Sequence, residues 1–118
     1  MRHLNVVMLA GSALLAGVIA GCGSAPPVNK EASTSAIRAA EESGASNVPS
    51  ASLYLQLAKE ELENARALAK HDERNRAISM LSRAESDAEL AVALSRADAE
   101  KAEAQGAMDR VRQFRLEN

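Results

Sequence analysis

"ASLYLQLAKEELENARALAKHDERNRAISMLSRAESDAELAVALS", residues 51–95, decides the fold of this chain. Its first half carries Ala51, Leu55, Ala58, Leu62, Ala65 and Ala69, separated alternately by four and three residues. That alternation places one small apolar residue per helical turn on a single seam. Leu53, Leu57 and Leu68 widen the apolar surface and predict a helix that touches two neighbours. The second half repeats the alternation with Ala77, Leu81, Ala84, Ala88, Ala91, Ser95, Asp98 and Ala102, but this seam turns polar at Ser95 and Asp98, where tight apolar pairing is expected to fade. Between the halves, Lys70-His71-Asp72-Glu73 breaks the pattern, with Asp72 read as the cap of the following helix. Two seamed helices joined by so short a break predict an antiparallel hairpin.

Working outward, Pro49 suits a first helical turn, so the second helix is expected over 49–70. The third is expected over 73–115. At about 1.5 Å per residue these are roughly 33 and 65 Å long, so nearly half of the third helix overhangs its partner. A shorter first helix is expected over 30–43, with Ala32, Ala36, Ala39 and Ser43 as a small-residue stripe on one face and Gly44 as its stop. Pairs spaced four apart, Asp72–Arg76, Arg83–Asp87 and Arg96–Glu100, add small electrostatic support. The fold class is therefore all-α: an antiparallel, coiled-coil-like hairpin with a short preceding helix and a long overhanging third helix.

Composition fits thin helix-on-helix contact. The chain has 118 residues, one Phe, one Tyr and no Trp. With alanine supplying so much of the apolar content, no thick core is expected, since burial stabilises in proportion to area. Fourteen basic against 16 acidic residues give a net charge of −2, which argues against a nucleic-acid partner. A single cysteine excludes an internal disulfide.

That cysteine ends the stretch "LLAGVIAGC". A charged start at Arg2 and an apolar run from Val6 to Ala20 form a signal-peptide pattern, too short for a bilayer-spanning helix. The ending Ile19-Ala20-Gly21-Cys22 resembles a bacterial lipobox. The resemblance implies cleavage before Cys22, a diacylglycerol on its sulfur and an acyl chain such as palmitate on the new amine. Gly23, in place of Asp, resembles the outer-membrane address of enteric lipoproteins, implying a location on the periplasmic face of a Gram-negative outer membrane. The organisation expected is a signal peptide over 1–21, a lipidated cysteine and flexible tether over 22–29, and an alanine-rich three-helix domain over 30–118.

Three features invite a functional reading. His71-Asp72-Glu73 has too few strong ligands for zinc, and the bland reading, a helix start, is preferred. "LSRA" at 81–84 and 94–97 repeats thirteen residues apart, which turns the copies about 220° from one another, so composition explains it better than a paired site. "MDRVRQFRLEN" sets Arg110, Arg112 and Arg115 beside Phe114, either as a favourable charge pattern for a helix C-terminus or as a docking tip for peptidoglycan, anionic lipid or protein. No nucleophile elbow, phosphate loop or catalytic triad pattern is present, so no enzyme activity, metal or diffusible cofactor is expected.

The run "EELENARALAKHDERNRAISMLSRAESDAELAVALSRADAEKAEA" resembles the DUF4398 bacterial envelope domains, a family of unknown function. Those domains have a first helix ending Gly-Ala, a Leu/Ala second helix, a short acidic turn and a long Ala-rich third helix. Here these are Gly44-Ala45, Leu55 to Ala69, His71 to Glu73 and "RAESDAELAVA". Some relatives precede an OmpA-like peptidoglycan-binding domain, which this sequence does not contain. Small murein lipoproteins are also similar in anchor and composition, but the lysine they use for covalent wall attachment is not matched by Arg115-Leu116-Glu117-Asn118. Taken together, the sequence predicts a non-catalytic envelope adaptor, with peptidoglycan binding as the alternative and a homo-oligomer as one possible assembly.

Overall fold

The computed structural model describes residues 28–117. Helix α1 spans Glu31–Glu42, a single 3-10 turn spans Ala45–Asn47, α2 spans Pro49–Lys70 and α3 spans Arg74–Glu117. The all-α hairpin is confirmed: α2 packs antiparallel along the first half of α3. Helix α1 lies against both and closes an up-down-up arrangement.

The seam between α2 and α3 is the predicted one. Ala51, Leu55, Ala58, Leu62 and Ala65 are buried from one side, and Ala77, Leu81, Ala84, Ala88, Ala91 and Ser95 from the other. Side chains this small let helix surfaces meet closely, and the occasional leucine fills the gap at each level. Ser95 is tolerated inside because its hydroxyl donates back to the Ala91 carbonyl at 3.0 Å. Ala69, Asp98 and Ala102 are exposed, so the seam is shorter than its pattern at both ends. Helix α2 does touch two neighbours, yet Leu53 and Leu57 remain exposed, by 56 and 37 %.

The small-residue stripe of the first helix is not the face it buries. Its buried residues are Ser33, Ile37 and Ala40, while Ala32 and Ala39 face solvent and Ala36 is half-buried. A shift of one residue turns a helix by about 100°. Ile37, the one large aliphatic residue in α1, sets that rotation because it has the most area to hide. Ser33 is satisfied on the buried face by donating to the Lys30 carbonyl at 3.0 Å.

The two connections end their helices in the same way. Gly44 sits in the left-handed region at φ 80° and donates to the Glu41 carbonyl. Asp72 adopts φ 60° in the matching position after α2. Its N–H reaches the Ala69 carbonyl at 3.3 Å, and that of Glu73 reaches the Leu68 carbonyl at 3.0 Å. This pair of hydrogen bonds satisfies carbonyls that a helix end leaves open. Asp72 therefore terminates α2, and the expectation that it caps α3 is corrected. The Glu73 carbonyl instead accepts the first bond of α3, from the Ala77 N–H at 3.0 Å.

Contacts across the bundle fix its direction. Lys59 of α2 pairs with Glu41 near the end of α1 at 2.5 Å. Val28 and Lys30, just before α1, border the same groove as Lys70, His71 and Arg74. The start of α1 thus lies at the hairpin-turn end, and α1 runs parallel to α3. Beyond Ser95, α3 continues for 22 residues that neither α1 nor α2 covers, all exposed except half-buried Gly106.

Candidate functional site

Residues proposed from the sequence fall in two places. Ile19, Ala20, Gly21 and Cys22 lie outside the described residues. Arg110, Arg112, Phe114 and Arg115 lie on the α3 overhang and are all exposed. They share that overhang with Met108, Val111 and Leu116, which are exposed by 59, 53 and 81 %. Arg112 pairs with Asp109 at 3.0 Å, one turn away. A shallow groove runs past Ala107, Met108, Val111, Arg112 and Arg115. The helix surface here therefore alternates exposed apolar side chains with guanidinium groups.

The two "LSRA" copies do face apart: Ser82 is exposed while Ser95 is buried. His71, Asp72 and Glu73 form the turn described above, and among the described residues no group of three or more His, Cys, Asp or Glu side chains could hold a metal ion. Also among them, no helix is long and apolar enough to cross a membrane.

One cluster was not foreseen. Glu61 is buried on α2, and Arg83 of α3 reaches its Oε1 at 2.8 Å. Arg83 thus bridges the hairpin to Glu61, where the sequence suggested a local pair with Asp87. Burial pushes the Glu61 carboxyl above its usual range, Arg83 pulls it down, and the charge and hydrogen bonding of Asp87 push it up again. The signal was available: Tyr54, Ala58, Glu61, Ala65 and Leu68 follow the four-three alternation, so Glu61 occupies a seam-edge position.

A second, larger feature is the groove of about 990 Å³ at the hairpin-turn end. Four cations line it, Lys30, Arg66, Lys70 and Arg74, against two acids, Glu63 and Asp72. Arg66 pairs with Glu63, but its Nε is buried with no hydrogen-bond partner.

Up-down-up packing around a small-residue seam, with a solvent-exposed helical extension, defines a slender helical module. The chain matches the family described as domain of unknown function (DUF4398) over residues 30–107, and it belongs to that family. The match takes in all of α1 and α2 and the first three-quarters or so of α3. No curated protein and no solved structure matches the chain.

Proposed function

We propose that the protein is an outer-membrane-anchored periplasmic lipoprotein that acts as a non-catalytic adaptor through helix-helix contact. The observation that carries this reading is the overhang. A 22-residue stretch of α3 projects past the bundle with Met108, Val111, Phe114 and Leu116 exposed along it. Apolar side chains gathered on an isolated helix gain free energy when a second surface covers them.

The direction of the bundle supports the anchoring part of the reading. The lipobox-like Cys22 precedes Val28 by six residues, a reach of at most about 20 Å. Val28 packs at the hairpin-turn end. A lipid on Cys22 holds that end at the bilayer and aims the overhang away from it. Two acyl chains are enough for stable attachment.

Truncation after Ala107 tests the adaptor reading. Crosslinking in cells followed by mass spectrometry is expected to lose envelope partners that the full chain recovers, and full recovery by the truncated protein overturns it. The alternative, peptidoglycan binding through Arg110, Arg112 and Arg115, is separated by sedimentation with purified peptidoglycan. Acylation is read from the mass of the protein made in its host.

A further inference from the structure

We infer that the groove at the hairpin-turn end is a seat for the phosphate headgroup of an anionic phospholipid in the membrane that holds the anchor. Charge is the first argument. The groove-lining residues Lys30, Arg66, Lys70 and Arg74 outnumber Glu63 and Asp72, whereas the whole chain is acidic at −2. The groove itself therefore attracts an anion against the net sign of the chain.

Hydrogen bonding is the second argument. Glu63 occupies one side of the Arg66 guanidinium, and Nε remains buried without an acceptor. A buried donor left unpaired costs free energy that an incoming oxygen recovers. A phosphate offers several acceptors to a guanidinium and to nearby ammonium groups at once.

Position selects the source of that phosphate. Val28 lines the groove, so the polypeptide leading from Cys22 arrives at its rim. This argument rests on the anchoring proposed above. With the tether only six residues long, the groove stays within about 20 Å of the acylated residue and so within reach of headgroups. Each cation near an anionic surface strengthens the attraction. The lipid chains then fix the protein to the membrane, and the groove fixes how it stands there.

Hydrogen exchange on the full chain, isolated from its host and reconstituted into vesicles, tests the inference. Vesicles of phosphatidylcholine alone are compared with vesicles containing phosphatidylglycerol. Phosphatidylglycerol is expected to slow amide exchange across residues 66–76 by roughly fivefold or more. Raising salt to about 0.5 M is expected to reverse the effect. The double variant Lys30→Glu, Lys70→Glu is expected to abolish it. Arg110→Glu with Arg112→Glu, an equal charge change at the far tip, is expected to preserve it. Equal exchange in the two vesicle types overturns the inference, and so does equal loss in the tip variant. Inorganic phosphate reproducing the protection in phosphatidylcholine vesicles overturns the lipid source. The intact mass of the same sample reports the anchor separately: an unmodified Cys22 beside a preserved headgroup effect removes the anchoring reading and keeps the groove.

Discussion

Arg83 of α3 reaches across the hairpin to Glu61 of α2, Nε to Oε1 at 2.8 Å, while Glu61 Oε2 is buried and meets no donor. The arginine side chain is 64 % exposed, so water screens much of the attraction. Burial wins, and the folded protein holds the Glu61 proton more tightly than the unfolded chain does. The folded state then binds more protons in the interval between the ordinary value of 4.5 and its raised value. Stability from this group is present below that interval and is lost as pH rises through it. Glu61→Gln is expected to flatten this part of the pH profile, measured as the urea midpoint from pH 4 to 7. An unchanged slope in the variant would refute the assignment.

Asp72 holds a left-handed backbone conformation that a side chain makes costly. Asp72→Gly is expected to stabilise the hairpin by up to about 1 kcal/mol. Asp72→Val is expected to destabilise it by about 1–2 kcal/mol, since a β-branched residue tolerates that conformation poorly. Both shifts are read from urea unfolding at constant pH.

Ala88 is fully buried in the seam, whereas Ala99, eleven residues further on, is exposed on the overhang. Ala88→Leu forces extra methylenes between α2 and α3 and is expected to cost about 1–3 kcal/mol. Ala99→Leu is expected to leave the unfolding midpoint almost unchanged. Equal effects at the two sites would mean that the seam does not end where the exposure pattern ends it.

Gly106 interrupts the overhang without a need for its small size within the chain. An added Cβ would meet only the Arg110 guanidinium, at an ordinary 3.9 Å. Gly106→Ala is expected to strengthen the local helix by about 1 kcal/mol. The measurement is amide exchange over residues 103–110, expected to slow roughly fivefold while the unfolding midpoint of the bundle stays put.

The hairpin was legible because its period is long and regular. Ala51 to Ala65 and Ala77 to Ser95 were both found buried in the predicted phase. The expected bounds of α2 match the observed Pro49–Lys70. The buried face of α1 is not legible in its small-residue stripe of Ala32, Ala36 and Ala39, because Ile37 has the greater area to hide. The role of Asp72 is not legible in the sequence, because aspartate serves both a helix start and a left-handed helix end and only the backbone distinguishes them. Glu61 escaped notice because a lone carboxylate among many reads as solvated until the neighbouring helix is placed. The cationic groove was equally hidden, since it joins Lys30, Arg66 and Arg74 from three separate parts of the chain.

The parallel course of α1 and α3 has a mechanical meaning. The bundle's leading segment enters at the turn end, and its trailing segment leaves at the opposite end. A pull between Val28 and Glu117 is therefore directed along the helix axes. Such a load slides the helices past one another, so the seam resists along its whole length at once instead of yielding turn by turn as a peeled hairpin would. Axial tension between these two ends therefore loads the packed helices in shear.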